Sequence, residues 1–356
     1  MKFFIFFSVV FTLASLLSIY IYRSFKRRFL GSYKILGLFF IAIFIVVVTA
    51  ILIEKESLTS YFFISLLNCA VAVLFMLFFT SIVFDILWIF YKKHKKWQNL
   101  AFLTLSFLYI LASFYGGLKE PKITQTDVYI KNLQTPLKIA LLGDIHLDKA
   151  TNDNLLSSLI SKVNSQNADA MLIVGDLFDI KADELKDTLK PLKDAKMPIF
   201  FVTGNHEFYY GAKELVSALK SHGVRVLENE SVEFKGINIA GVHDITGLSF
   251  GYMMPDINKT LNMINPKIPT ILMAHQPRFV SKNLTTDVDL YLSGHTHGGQ
   301  VFPFGLFVWL QQGYVYGLKK AGDSQIYVTS GAGFWGMPMR FLAPSEVAIL
   351  NLKGAK

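Results

Sequence analysis

The sequence has one cysteine, Cys69, in 356 residues. That excludes a disulfide framework within the chain. Charge is scarce as well, at 17% of residues against 52% apolar. A chain this apolar is not disordered, and its composition argues against an ordinary soluble protein. Acidic residues are nearly missing from the first third: residues 1–118 carry three Asp and Glu against eleven Lys and Arg, a net charge of +8. Residues 119–356 carry 23 and 24, a net charge of +1, and seven of the eight histidines. The whole-chain charge of +9 is therefore no basic surface. The C-terminal part shows no basic stripe, which argues against a nucleic-acid partner.

What the first third does contain is four apolar runs, at 3–22, 35–53, 64–89 and 98–117. Each is close to the length of about 20 residues that a membrane-crossing helix requires. The first has only Lys2 ahead of it and no small-residue cleavage site. It reads as an uncleaved helix rather than a signal peptide. The first connecting loop carries Arg23, Lys26, Arg27, Arg28 and Lys34, and the third carries Lys92, Lys93, Lys95 and Lys96. Between them lies the near-neutral Glu54-Lys55-Glu56. By the excess of Lys and Arg in cytoplasmic loops, residues 1–118 read as a transmembrane four-helix module with both ends outside. Asp85 reads as an interfacial residue beside the Lys92–Lys96 cluster, and Cys69 as a small packing residue.

Residues 119–136, with Pro121, read as a linker and first strand, and 137–356 as a further domain. Short β-rich runs there alternate with amphipathic segments. The pattern predicts strands at 138–143, 170–174, 198–203, 236–242, 270–274, 288–293, 325–330 and 346–352. It predicts helices at 152–165, 182–195, 212–221 and 256–264. Such alternation implies an α/β domain.

Polar chemistry gathers just after the strands: Gly143-Asp144-Ile-His146, Gly175-Asp176-Leu-Phe-Asp179, Gly204-Asn205-His206-Glu207, Ala274-His275 and Gly294-His295-Thr-His297. In α/β sheets ligands bind at the carboxyl ends of strands, so five such ends can converge. Carboxylates, imidazoles and one amide without thiolate suit a hard or borderline divalent metal. Asp-x-His and His-x-His at a strand end aim both side chains to one side. The set exceeds one tetrahedral centre and fits two ions about 3.5–4 Å apart. Taken singly, each piece also reads as a turn, a helix cap or a half-buried histidine. Their order and common position after strands make coincidence a poor explanation.

This constellation resembles the calcineurin-like metallophosphoesterase superfamily over about residues 137–352. The sequence Gly298-Gly-Gln-Val, with Tyr316-Gly317 and Pro338-Met-Arg340, is similar more narrowly to its membrane-associated bacterial branch, which includes YkuE-like and YaeI-like proteins. The four-helix module departs from the single anchor of that branch's simplest members. The resemblance implies a four-layer α-β-β-α sandwich of two mixed sheets flanked by helices. It implies two divalent metal ions, Mn, Fe, Zn or Ni, with Asp144, His146 and His297 on one and Asn205, His275 and His295 on the other. Asp176 would bridge them, a metal-activated hydroxide would attack phosphorus, and His206 would act as general acid. Asp179 and Glu207 would orient ligands, with Asp148 and Asp244 as further candidates. His222 reads as a surface residue, and His243 stands at a strand end beside Asp244.

Two aromatic stretches bear on substrate: Val301–Tyr316, and Phe334–Phe341 with Trp335 and Arg340. Exposed, they would form an apolar patch fit for the bilayer interface, with Arg340 meeting a phosphate. Packed inward, they would be core. The expected function is hydrolysis of a lipid or lipid-linked phosphate ester or pyrophosphate on the extracytoplasmic face of a bacterial cytoplasmic membrane. The alternative is a membrane protein whose phosphoesterase-like domain binds metal or lipid without turnover.

Overall fold

The computed structural model describes residues 2–29, 58–90, 95–148 and 152–355. The chain divides into two compact units. One is the segment through Leu118 together with Gly336–Met339; the other is Lys119–Trp335 with Arg340–Lys356.

The first unit contains helices α1 (Lys2–Arg28), α2 (Leu58–Phe90) and α3 (Lys95–Gly117). Among the described residues, two helical segments are long and apolar enough to cross a membrane, Asn68–Phe90 and Lys95–Gly117. That is two rather than the expected four. The run at 3–22 lies within α1, and the run at 35–53 lies outside the described residues. Asp85 lies near the end of α2, and Lys92 and Lys93 of the cluster expected beside it lie outside the described residues. Its carboxylate accepts from Arg27, from Arg28 Nη2 at 2.5 Å, from Tyr20 at 3.0 Å and from Ser24 at 3.1 Å. A carboxylate in an apolar bundle needs such partners to offset its desolvation. The pairing sets the basic end of α1 against the end of α2.

The second unit is built from β1 (Lys122–Ile130), β2 (Leu137–Leu142), α4 (Asn152–Asn164), β3 (Ala170–Val174), β4 (Ile199–Val202), α5 (Asn205–Tyr210), α6 (Ala212–Ser221), β5 (Arg225–Val226) and β6 (Glu230–Phe234). It continues with β7 (Ile237–Gly241), α7 (Gly247–Phe250), α8 (Ile257–Leu261), β8 (Thr270–Met273), α9 (Pro277–Lys282), β9 (Leu290–Ser293), α10 (Phe304–Gln312), β10 (Gly317–Ala321), β11 (Ser324–Val328) and β12 (Glu346–Gly354). The strands form two mixed six-stranded sheets, in the orders β1-β12-β2-β3-β4-β5 and β10-β11-β9-β8-β7-β6. In the first, β2, β3 and β4 run parallel; in the second, β7, β8, β9 and β11 do.

Strand side chains alternate between faces, so each buried strand feeds two cores. Ile139 and Leu141 of β2 join Leu172, Val202, Ile271 and Leu292 between the sheets. Ala140 and Leu142, the alternate residues, pack outward against Leu156, Leu159 and Leu215 of α4 and α6. On the far side, Leu272 and Tyr291 pack against Phe279 and Val280 of α9. Three cores between four layers give the expected sandwich. One expected helix is absent: 182–195 holds only short 3₁₀ turns at Ala182–Glu184 and Lys190–Asp194. Pro191 removes a main-chain donor there and its ring crowds the preceding turn.

The parallel strands of both sheets end on one edge of the sandwich. The main chain is continuous across that edge: Asp144 N donates to Gly175 O at 3.1 Å and Gly294 N to His275 O at 2.9 Å. The loops carrying the polar motifs are thereby tied to one another.

Candidate metal centre

Loops after six strands deliver the polar residues. Asp144 and His146 follow β2, Asp176 and Asp179 follow β3, Asn205 and His206 open α5 after β4, and Asp244 follows β7. His275 follows β8, and His295 and His297 follow β9. Three groups of ligand atoms each fall within 4.8 Å of one another: Asp144, His146 and His297; Asp176, His275 and His295; and His146, Asp179 and His206.

The backbone bends to bring these side chains inward. Asp144, His146, Asp176, His295 and His297 all have positive φ, between 49° and 70°. Non-glycine residues adopt this conformation rarely, and a cluster of them marks strain held for function. Two glycines make room. A Cβ on Gly204 would lie 2.2 Å from Asp176 Oδ1, and one on Gly294 would lie 2.8 Å from Asp144 Oδ2. Asp176 Oδ1 accepts from His206 N at 2.8 Å, and Asp144 accepts from His295 N at 2.9 Å.

Hydrogen bonds orient the imidazoles. His275 Nδ1 donates to Val174 O at 2.7 Å, leaving Nε2 to face Asn205 Oδ1 at 3.1 Å and Asp176 Oδ2 at 3.2 Å. His146 Nδ1 donates to Asp179 Oδ1 at 2.9 Å, leaving Nε2 to face His297 Nε2 at 3.0 Å. Two imidazole nitrogens so placed would both be able to hold one divalent ion. Asp176 Oδ2 stands 4.0 Å from the Nε2 atoms of both His146 and His206, between the two groups. Glu207 is fully buried, and its carboxylate accepts from the main-chain N–H groups of Asp176, Leu177 and Gly204. It holds the loop rather than facing the cluster.

The electrostatics call for cations. Among the described residues, no Lys or Arg pairs with Asp144, Asp176 or Asp179. Burial raises Asp144 to about 6. Burial also opposes ionisation of Asp176, but His275 and His206 hold it well below the usual carboxylate range. Burial would lower His275, yet the charge and hydrogen bond of Asp176 raise it well above the imidazole value. His206 is likewise raised, to about 9, because Asp176 and Asp179 outweigh its burial. His295 is lowered to about 3, by burial and then by the charge on His275. Buried ionised carboxylates whose charge is offset only by protonated histidines form a donor set that a divalent metal can satisfy in place of those protons. The residues present fit such ions.

Other expected residues fall elsewhere. Arg340 does not point to solvent to meet a phosphate. It is 3% exposed, and its guanidinium donates to the carbonyls of Ser330, Gly333, His297 and Ala343. Trp335 is half exposed, and its main chain is held by Gln300 through a reciprocal pair of 3.0 Å hydrogen bonds. Asp244 is buried, with Oδ1 accepting from Gln276 Nε2 at 2.9 Å. His243 is also buried, which lowers it to about 4. His222 caps α6 at its C-terminus. The sequence reading passed over Tyr209 and Arg278. The ring of Tyr209 meets that of His206 edge to face at 5.3 Å, and Arg278 follows the His275 loop in the first turn of α9. The position of Arg278 three residues after His275 was the one available signal.

The aromatic run after His297 forms α10, and its apolar side chains are largely exposed: Leu310 by 73%, Phe307 by 57% and Trp309 by 55%. Gln312 at its end is buried instead.

Residues 137–299 match the family model described as calcineurin-like phosphoesterase. An uncharacterized metallophosphoesterase of Campylobacter jejuni, Cj0846, is 38% identical over the full length of both chains. The metallophosphoesterase YkuE of Bacillus subtilis is 30% identical over 67% of this chain and 89% of its own. A transmembrane protein with metallophosphoesterase domain from Danio rerio is 31% identical over 72% of this chain and 63% of its own.

Proposed function

The chain belongs to the calcineurin-like phosphoesterase family, and on that premise we propose that it is a membrane-anchored dinuclear phosphoesterase acting on a lipid-linked phosphate ester or pyrophosphate. It is a metallophosphoesterase, a hydrolase of phosphoester bonds. The observation that carries the finer reading is the position of Asp176 Oδ2, 3.2 Å from His275 Nε2 and 4.0 Å from both His146 and His206. One carboxylate oxygen is shared by two sets of nitrogen ligands.

Asp144, His146 and His297 would hold one ion and Asn205, His275 and His295 the other, with Asp176 between. Ions there supply an activated water and offset charge on the phosphate oxygens. The chain's own residues do the rest. Asp179 accepts from His206 Nδ1 at 2.6 Å, which leaves the Nε2–H directed at the cluster. As water oxygen bonds to phosphorus and the P–O bond to the leaving group breaks, His206 Nε2 gives its proton to the departing oxygen. Asp179 stabilises the imidazolium beforehand.

The lipid reading rests on two features. The segments Asn68–Phe90 and Lys95–Gly117 have the length and apolarity to anchor the chain. With α1 and the run at 35–53 they would make the four-helix module. The exposed face of α10 carries Leu306, Phe307, Trp309 and Leu310, an apolar surface of the kind that marks an interaction site, and it begins seven residues after His297. Orientation rests on the loop charges, and Arg27 and Arg28 at the end of α1 pair with Asp85 near the end of α2. That end would be cytoplasmic and the catalytic domain extracytoplasmic.

Assay of the full chain with Mn²⁺ on a lipid phosphodiester and on a soluble nucleotide diester tests the substrate. Higher kcat/KM on the lipid is expected, and preference for the nucleotide would sink the lipid reading. Reporter fusions to the C-terminus test the side; a cytoplasmic signal would reverse it.

A further inference from the structure

Arg278 is the cation of this region that the reaction above leaves unused. It sits in the first turn of α9, three residues after His275. Its main-chain N–H donates to Gln312 Oε1 at 3.2 Å, which fixes it to the end of α10. Its side chain is partly exposed, while its Nε is buried and bonded to nothing. Among the described residues, no carboxylate lies within ion-pair distance of its guanidinium. Asp244 Oδ2 is equally buried and unpartnered, yet the two do not pair. A buried guanidinium nitrogen without an acceptor is costly and calls for an explanation, of which a bound anion is one. The ligand it lacks is an anion.

The position of that anion follows from the neighbours. Arg278 stands in the first turn of α9 at the same strand end that delivers the proposed ligand His275, three residues before it in the chain. Arg278 therefore borders the Asn205, His275 and His295 side. It makes no hydrogen bond or ion pair with any of these ligands, so it stands outside their ring. A group attached to the reacting phosphate would reach it there. Arginine's planar fork matches a phosphate better than any other side chain does.

We propose that Arg278 forms a subsite for a second phosphate, so that the preferred substrate carries a pyrophosphate link rather than a lone phosphodiester. This rests on the phosphoesterase reading and deepens it. The guanidinium holds the phosphate that leaves, while hydrolysis takes place at the neighbouring one. The buried Gln312 side chain fixes the distance between this subsite and the apolar face of α10.

The test compares the full chain and its Arg278→Gln and Arg278→Lys variants, each with Mn²⁺. Substrates are a chromogenic phosphodiester and a nucleoside-diphosphate-linked sugar. Arg278→Gln should raise KM for the pyrophosphate substrate more than tenfold with kcat within about threefold, while KM for the phosphodiester stays level. Arg278→Lys should recover part of the loss. Methylene diphosphonate should raise the Tm of the wild type and fail to do so in Arg278→Gln, a readout independent of turnover. Equal losses on both substrates, or diphosphonate protection unchanged in the variant, would overturn the subsite and leave the phosphoesterase intact. No turnover of either substrate by the wild type would overturn the enzyme reading itself.

Discussion

Asp179 Oδ1 accepts a 2.6 Å hydrogen bond from His206 Nδ1, and the same oxygen accepts from His146 Nδ1 at 2.9 Å. One carboxylate oxygen thus sets the tautomer of a proposed metal ligand and of the proposed general acid. His146 and His206 meet edge to face, with ring centroids 4.5 Å apart, so neither can turn without the other. Partners that orient metal-bound imidazoles are typically worth about 10–100-fold in metal affinity or activity. Asp179→Ala should therefore weaken Mn²⁺ binding by that factor in a calorimetric titration and lower kcat as well. Asp179→Asn retains an acceptor oxygen and should fall between. A loss of kcat with unchanged metal affinity would show that Asp179 serves His206 alone.

The His146–His297 pair and the Asn205–His275 pair make separable claims. His297→Ala removes a donor from the first group only and should leave about one tightly bound ion per chain by elemental analysis, against two in the wild type. Asp176→Ala removes the shared carboxylate and should empty both positions. Chelation of the wild type should lower its Tm, since ions that bind only the folded chain stabilise it by mass action. One ion per wild-type chain would refute the dinuclear centre.

The clustering of the polar motifs was readable because each directly follows an apolar run, and strand ends are where an α/β sheet gathers its side chains. Most strands were readable because buried strands show as short apolar segments; the short or half-exposed β5, β6 and β10 do not, and the division into two sheets followed only from the family resemblance. Three further things were not readable. The positive φ at Asp144, His146, Asp176, His295 and His297 is a backbone property that no residue type there announces. The turns at 182–195 carry a helical pattern interrupted by Pro191, and periodicity outweighed the proline. Arg340 reads as a surface cation because isolated arginines nearly always are. Only the structure shows main-chain carbonyls from two loops converging on it.

Arg340 ties those loops together, and its removal should cost stability before it costs affinity. Its donors reach Ser330, Gly333, His297 and Ala343, and it is 97% removed from solvent. Each carbonyl left unsatisfied in the interior costs about 1–3 kcal/mol. Arg340→Met should lose at least about 3 kcal/mol in urea unfolding, and Arg340→Lys somewhat less. Metal affinity should drop with it, since His297 O is among the acceptors. A stable variant with an elevated KM would return Arg340 to the substrate.

Asp169 joins the starts of β2 and β3 and makes stability depend on acid. Its Oδ2 accepts from Lys138 N at 2.8 Å, its N–H donates to Lys138 O at 2.7 Å, and Lys235 Nζ lies 2.5 Å from Oδ1. Partial burial alone would raise its pKa, but the Lys138 N–H and Lys235 together lower it. A carboxyl lowered in the folded state adds stability that is complete above its unfolded value of about 3.9. That stability disappears as pH falls through the folded value. At pH 7, Asp169→Asn should be less stable than the wild type by about 1 kcal/mol, the worth of one hydrogen bond plus a screened ion pair. Melting curves from pH 3 to pH 8 should show a constant gap above about pH 5 that closes below about pH 4. A gap that persists at pH 3 would mean that the amide disturbs the β2–β3 junction by its shape rather than by its missing charge.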